Sequence, residues 1–218
     1  SAGAMNAVVV TAALQSGGRE EARVALARFW RAVSTAARMS PIQRTPLDRL
    51  LGRWSLDLSP AYWIFESLTR ALSPYQLNPF NINPLEKILS DQVDFEQVRA
   101  SKTPKLFIAA TNVRTGLSHV FRNADLGPKA VLASACLPFM YRAVEIDGEA
   151  YWDGGYMGNP VLYPLVAETE ARDLVLVQVN PILREDVPRT GPAILNRLNE
   201  ITFNASLIKE VRAIALLR

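Results

Sequence analysis

Short strand-like segments separated by helical segments run along this chain of 218 residues. The predicted hairpin strands are residues 105–110, 117–121, 142–146 and 149–152. Between the last two lies Asp147-Gly148, a pair that suits a two-residue hairpin turn. Residues 174–179 are almost continuously apolar, as a central parallel strand would be. This alternation predicts an α/β fold built on a central sheet.

Helical periodicity covers most of the remaining chain. Residues 2–14 are apolar on nearly all sides, which predicts a buried helix that Gly17-Gly18 ends. An amphipathic helix is predicted over residues 19–39. Further helices are predicted over residues 61–72, 83–90, 127–135 and 194–218, with a short one after Asp94.

Composition excludes several classes of site. Cys136 and His119 are the only cysteine and the only histidine, so an internal disulfide, a thiolate metal cluster and a histidine-rich metal site are excluded. A Ser-His-Asp triad would have to use His119. We expect no metal and no other cofactor. No stretch reaches the ~20 apolar residues of a membrane span, and the opening residues lack the pattern of a signal peptide, so we expect a cytoplasmic protein.

The basic residues are concentrated in one part of the chain. Residues 19–53 contain eight arginines against three acidic residues, which leaves a local charge of +5. Such a face attracts anionic lipid, so peripheral contact with an anionic membrane is one interpretation. A solvated helix face is the other. The aromatic-and-basic pattern of nucleic-acid modules is absent, and we expect no nucleic-acid partner.

Residues 41–84 differ from the rest because they contain six prolines and many aromatic residues, among them Trp54, Tyr62 and Trp63. Apart from the predicted helix over residues 61–72, they show little periodicity. We interpret this segment as a loop-rich cap over the main sheet. Its aromatic side chains form either a lid that meets lipid or a small satellite core.

The first residues, Ser1-Ala2-Gly3, are similar to the second half of a serine nucleophile elbow. Small residues after the serine allow the following helix to pack closely against a sheet. The amides at the start of that helix then point toward developing anionic charge, so Ala2 and Gly3 are candidates for oxyanion support. The alternative is that Ser1 is a plain helix N-cap.

Asp153-Gly154-Gly155 follows the last predicted hairpin strand. The two glycines permit close approach of another backbone, so we count Gly154 and Gly155 with the substrate-binding residues. An aspartate at such a sheet edge can accept the proton of a serine hydroxyl if burial raises its pKa above about 4. The alternative is a plain turn.

Several separated segments together resemble the bacterial patatin-like phospholipases. They are residues 1–4, 110–113, 133–139, 151–156, 159–160 and 196–201. The resemblance implies a three-layer fold across residues 1–218, with a central, mostly parallel sheet flanked by helices. It also implies a Ser–Asp dyad hydrolase that acts on lipid ester bonds, with Ser1 as nucleophile and Asp153 as base, whereas His119 is a structural residue. Phospholipase A and lysophospholipase activities both fit.

Other interpretations remain open. The chain could be an inactive scaffold that binds lipid or a protein partner. Ser1 could also use its own α-amine as base, although such sites usually open a strand and residues 2–14 are predicted as helix. Because the family's first elbow glycine and its oxyanion loop precede the serine, we expect this sequence to be part of a longer protein and a poor enzyme by itself. The last helix lacks a C-terminal capping signal, so we expect it to continue as well.

Overall fold

The computed structural model describes residues 1–38, 40, 43–45, 48, 50–52, 56 and 59–216. Some predictions include residues outside this description. They are residue 39 at the end of the predicted second helix, residues 41 and 54 in the cap, and residue 53 in the basic segment. The helices are α1 (Ala2–Arg38), α2 (Pro60–Ala71), α3 (Pro74–Leu77), α4 (Pro84–Gln92), α5 (Phe95–Ala100), α6 (Pro128–Ala133), α7 (Tyr163–Glu168) and α8 (Gly191–Leu216). The strands are β1 (Phe107–Asn112), β2 (Ser118–Arg122), β3 (Val144–Ile146) and β4 (Glu149–Asp153).

Helix α1 is broken at Gly18, where the sequence predicts a boundary between two helices. Gly18 has φ 73° and ψ −157°, which is not helical. The indole nitrogen of Trp30 in the second half donates to the Asn6 side-chain oxygen in the first half at 2.8 Å. The two halves therefore fold back toward each other, and the prediction of two separate helices is confirmed.

The four strands form one antiparallel sheet in the order β2-β1-β4-β3. Both predicted hairpins are confirmed. Asp147 and Gly148 have φ values of 50° and 79°, which the tight turn between β3 and β4 requires. Strands β1 and β4 are also antiparallel, so the described sheet differs from the mostly parallel sheet that the resemblance implies.

The prediction of a buried parallel strand over residues 174–179 is wrong. These residues have no strand structure, and Val175, Val177 and Val179 are each more than 85% exposed. A central strand needs a hydrogen-bonded neighbour on each side and packing on each face. Nothing in the described structure supplies a neighbour for this segment, so apolar sequence alone does not make it a strand.

The core lies between the helices and one face of the sheet. Helix α1 packs against α4 and α5, while α6 contacts α4 and strands β1, β3 and β4. The most completely buried side chains include Val8 and Phe29 of α1, Leu89 of α4, Val98 of α5 and Val131 of α6. Burial of these apolar groups is the main stabilising contribution to the fold.

Helix α8 packs against the loop that follows β4. The Asn159 amide donates to Ser206 Oγ at 3.2 Å, and the Leu162 amide donates to a Glu210 carboxylate oxygen at 2.6 Å. The rings of Tyr156 and Phe203 also touch. The loop after Asp153 is therefore held from one side by the sheet and from the other by α8.

The described part of the cap contributes no aromatic side chain to the main core. Trp63, Tyr75 and Phe80 are 49%, 55% and 84% exposed, and Trp54 lies outside the described residues. The rings of Tyr62 and Trp63 contact each other edge to face, so both the lid and the satellite core remain predictions. None of the helices searched is both long and apolar enough to cross a membrane.

Candidate active site

Ser1 and Asp153 line the same cavity, which has a volume of about 280 Å³. The sequence separates them by the length of the sheet and most of the helices, so only the fold brings them together. Of the other residues expected to support the site, Gly3, Gly154 and Gly155 line this cavity and Ala2 does not. The apolar wall comes from β1, the loop before α7 and α7 itself, through residues that include Phe107, Ile108, Val161 and Leu165.

Ser1 stands at the N-terminal end of α1. Its carbonyl oxygen accepts the hydrogen bond of the Met5 amide at 3.2 Å, which makes it the first acceptor of the helix. A Cβ atom at Gly3 would lie 3.4 Å from Ser1 Oγ, so the missing side chain leaves space beside the hydroxyl. Ser1 is exposed. It is also one of the residues that line the cavity.

Asp153 is the last residue of β4 and is fixed by three hydrogen bonds. Its amide donates to the Cys136 carbonyl at 2.9 Å, and its carbonyl accepts from Thr111 Oγ1 at 2.8 Å. Its carboxylate Oδ1 accepts from the Gly155 amide at 2.7 Å. The turn interpretation and the functional interpretation of Asp-Gly-Gly are thus compatible, because the same carboxylate caps the turn and faces the cavity.

Residues 134–136 touch both Ser1 and Asp153. The Ser1 nitrogen donates to the Ser134 carbonyl at 2.7 Å and lies 3.1 Å from Ser134 Oγ. Two residues later, the Cys136 carbonyl accepts from the Asp153 amide. Ser134 is buried, and its own hydroxyl donates to the Val131 carbonyl at 2.7 Å. We call residues 134–136 the positioning bridge, because they set the separation of the two site residues.

Close packing explains the glycines after Asp153. A Cβ atom at Gly154 would lie 2.1 Å from the Ala109 carbonyl oxygen, which belongs to β1 and cannot move aside. A Cβ atom at Gly155 would lie 2.3 Å from the Phe203 ring. The close approach of another backbone that the sequence predicts is confirmed at Gly154, whereas the close neighbour of Gly155 is a side chain. It allows β4 and the following turn to lie directly against β1 and α8.

Burial dominates the electrostatics of the site. It raises the pKa of the Asp153 carboxyl, although the hydrogen bond from the Gly155 amide opposes that effect. A carboxylate that loses hydration on burial is a stronger base than an exposed one.

The described contacts contain no hydrogen bond between Ser1 Oγ and the Asp153 carboxylate. The carboxylate is engaged by the Gly155 amide instead. A serine–base contact that is long in an empty site commonly shortens when substrate binds. Both residues line one cavity, and each is tied to the positioning bridge through its backbone.

The remaining reactive side chains stand apart from this pair. His119 lies on β2, contacts the Phe121 ring edge to face and the Tyr151 ring at a tilt, and is not among the residues that line the cavity. Burial raises the pKa of the Cys136 thiol to about 11, so it is not a thiolate nucleophile at neutral pH. Within the described residues no group of histidine, cysteine or acidic side chains is placed to hold a metal ion.

Sequence reasoning did not assign roles to Ser134 and Thr111. Both lie in segments that carry the family resemblance, residues 133–139 and 110–113, and both hydrogen-bond a site residue. The only available signal was a hydroxyl residue at a buried position within an apolar run. A sequence pattern of that kind does not name the bonding partner.

Comparison with known proteins adds one finding to this geometry. A family model described as Patatin-like phospholipase matches residues 1–166. The matched span begins at Ser1, contains Asp153 and ends within α7. No curated protein matches the chain.

Proposed function

The chain belongs to the patatin-like phospholipase family, and from that membership we propose that it is a serine hydrolase of lipid acyl esters that uses Ser1 and Asp153 as a catalytic dyad. The family indicates lipid acyl hydrolysis in general. The observation that carries the finer proposal is the shared cavity, with both residues anchored on the positioning bridge. A phospholipase A or a lysophospholipase activity fits this site.

The proposed reaction begins when Ser1 Oγ attacks the ester carbonyl carbon and its proton passes to the Asp153 carboxylate. The tetrahedral oxyanion collapses to an acyl-serine as the alcohol leaves with the proton from Asp153. Water then attacks the acyl-serine, again giving its proton to Asp153. The fatty acid departs and Ser1 recovers the proton, so the dyad returns to its starting state.

Three features of the site support these roles. The start of α1 directs unpaired backbone amides toward Ser1, which suits an oxyanion. Burial raises the pKa of Asp153 and so makes its carboxylate a stronger base than an exposed one. The apolar wall from β1, the loop before α7 and α7 itself suits an acyl chain.

A second candidate is a scaffold that binds lipid or a protein partner without turnover. The observation in its favour is the lack of a hydrogen bond between Ser1 Oγ and the Asp153 carboxylate among the described contacts, since Asp153 Oδ1 is engaged by Gly155. Both candidates use the same apolar cavity. They differ only in whether Ser1 forms a covalent intermediate.

The basic segment supports anionic-membrane contact less well than its net charge implied. In α1, Arg23 pairs with Glu20 at 3.1 Å and Arg28 pairs with Glu21 at 3.7 Å. Pairing of this kind reduces the field that a membrane would meet. This favours the solvated-face interpretation for the described part of the segment.

A fluorophosphonate probe tests the dyad in the intact protein. We expect labelling at Ser1 and hydrolysis of p-nitrophenyl acyl esters, both abolished by Ser1→Ala. Asp153→Asn should reduce turnover at least about a hundredfold, whereas the control Asp91→Asn, which removes an exposed carboxylate paired with Lys87, should leave it unchanged. Near-normal turnover in Asp153→Asn would retire the dyad. An unlabelled, folded protein that still binds lipid would establish the scaffold.

A further inference from the structure

Two turns of the chain expose large apolar side chains. After α3, Phe80 and Ile82 are 84% and 66% exposed; after α6, Phe139 and Met140 are 69% and 42% exposed. We call these four residues the two-loop patch. Isolated exposed apolar residues are ordinary on protein surfaces, but several of them on adjacent loops indicate an interaction site.

Arg142 joins the two loops. Its Nη2 atom donates to the carbonyl oxygens of Tyr75 at 3.3 Å and Pro79 at 2.7 Å. The guanidinium group also lies over the Tyr75 ring, 5.1 Å from its centroid. Pro79 directly precedes Phe80, and Arg142 follows Met140 by two residues, so these contacts join the two loops that carry the exposed apolar side chains.

A cavity of about 350 Å³ lies between the loops. Polar residues that line the cavity are sequence neighbours of residues in the two-loop patch. Asn81 and Asn83 lie on either side of Ile82, and Tyr141 follows Met140. The charged groups around the cavity are two cations and two carboxylates, namely Lys129, Arg142, Glu86 and Glu145. The cavity therefore has no excess of either charge and combines groups for an anion with groups for a cation.

The positioning bridge separates this cavity from the one that holds the candidate dyad. Ser134 lines the dyad cavity, whereas Ala135 and Cys136 line the cavity between the loops. A lipid surface held at the two-loop patch would thus lie next to the bridge that orients Ser1 and Asp153. The arginines of α1, by contrast, line neither of these two cavities.

We propose that the two-loop patch docks the protein onto the surface of zwitterionic phospholipid aggregates, with a headgroup entering the cavity between the loops. This inference rests on the proposed function and names the lipid surface that the hydrolase meets. Exposed apolar side chains favour a lipid surface because binding strength grows with the apolar area buried at the interface. The balanced charges suit a headgroup that carries one phosphate and one ammonium, and they give no advantage to an anionic lipid.

Vesicle co-sedimentation tests the docking. It uses Ser1→Ala protein, so that binding is measured without turnover. We expect binding to phosphatidylcholine vesicles that is indifferent to salt and not increased by phosphatidylserine. The double variant Phe80→Ser/Phe139→Ser should weaken partitioning by about tenfold for each aromatic side chain removed. The control Leu183→Ser/Val187→Ser removes two side chains of 84% and 80% exposure from another segment and should change partitioning less than twofold.

A tryptophan reporter keeps the test independent of folding defects in the double variant. In Phe80→Trp, addition of phosphatidylcholine vesicles should shift the indole emission to the blue relative to the same protein without the substitution, whereas Leu183→Trp should show no such shift. Binding that requires anionic lipid and disappears in high salt would overturn the inference. So would a double variant that loses self-association in sedimentation velocity but keeps vesicle binding, since the patch would then join two copies of the chain.

The outcomes separate this inference from the proposed function. Protein that reacts with fluorophosphonate at Ser1 but does not bind vesicles overturns the docking and leaves the hydrolase proposal intact. Patch-dependent vesicle binding by a protein that never reacts at Ser1 supports the docking and overturns the hydrolase.

Discussion

The Ser1 nitrogen donates a 2.7 Å hydrogen bond to the Ser134 carbonyl oxygen. Because the Cys136 carbonyl accepts from the Asp153 amide at 2.9 Å, both site residues are tied to a single stretch of three residues. A short segment between two buried anchors has little freedom to stretch. The spacing of the proposed nucleophile and base is thus set by backbone contacts rather than by a bond between their side chains.

Replacing Ser134 by alanine should slow turnover without changing substrate affinity. The variant keeps the carbonyl bond to Ser1 but loses the hydroxyl that lies 3.1 Å from the Ser1 nitrogen. Loss of one such contact is worth about 1 kcal/mol, so we expect a roughly fivefold lower kcat with an unchanged KM on a soluble ester, together with slower fluorophosphonate labelling.

Ser67→Ala is the matched control for that experiment. Ser67 Oγ also donates to a carbonyl of the preceding helical turn, that of Trp63 at 2.8 Å, but it lies in α2 and does not line the dyad cavity. Its kcat should equal that of the unchanged protein. Equal kcat in both variants would show that the Ser134 hydroxyl has no positioning role.

Gly154→Ala should destabilise the fold by about 1–3 kcal/mol, the usual cost of overpacking. The added methyl group would meet the Ala109 carbonyl oxygen at 2.1 Å, and that oxygen belongs to β1. Gly127→Ala is the control, because Gly127 has extended backbone with φ −152° and no atom within 4 Å of the added carbon. Urea denaturation measures both. A Gly154→Ala midpoint as high as that of Gly127→Ala would contradict the close approach of β4 and β1.

Local chemistry made much of the fold predictable. Asn83 accepts from the Leu85 amide and Asp94 accepts from the Glu96 and Gln97 amides, so both predicted helix starts follow from side chains within three residues. The break at Gly18 is equally local, because it depends on the backbone freedom of one residue. The resemblance predicted that Ser1 and Asp153 act together, and the fold places both in one cavity.

Long-range partners were not predictable in the same way. Nothing near Ser134 in the sequence names Ser1 as its partner, since 133 positions separate them. Likewise, the apolar run over residues 174–179 has the composition of a strand, but strand formation depends on neighbours elsewhere in the chain. In a hairpin the partner strand is the next one along the chain, so both hairpins could be predicted from local sequence. A strand over residues 174–179 would need a partner from elsewhere in the fold, and that prediction was wrong.

Backbone amides of residues 174–179 should therefore exchange with solvent almost as fast as those of an unfolded chain. The segment has no strand structure, whereas Ile108 and Ala110 lie in β1, which is paired on both sides. Hydrogen exchange followed by mass spectrometry compares the two regions in one protein. Protection of residues 174–179 equal to that of β1 would show that the segment is paired after all.

The pH dependence of turnover should report the titration of Asp153. Only the ionised carboxylate can accept the Ser1 proton, so kcat/KM should rise tenfold per pH unit below the pKa of Asp153 and level off above it. Because burial raises that pKa, the rise should occur at higher pH than the titration of an exposed aspartate, near 4.

The raised pKa of Asp153 also affects the stability of the fold. It makes the carboxylate a better base for turnover, but it lowers the free energy of unfolding at neutral pH. A carboxyl whose pKa is raised on folding contributes stability below its unfolded pKa and loses that contribution as the pH rises through the folded value. At neutral pH the ionised Asp153 therefore weakens the fold that it serves. Asp153→Asn keeps an oxygen for the Gly155 amide and carries no charge, so we expect a higher Tm at pH 7 and no gain below pH 4, whereas Asp91→Asn should show no such gain at either pH. A lower Tm for Asp153→Asn at pH 7 would mean that the charged carboxylate is stabilised in the folded protein, and the pH profile of turnover should then begin its rise at a correspondingly lower pH.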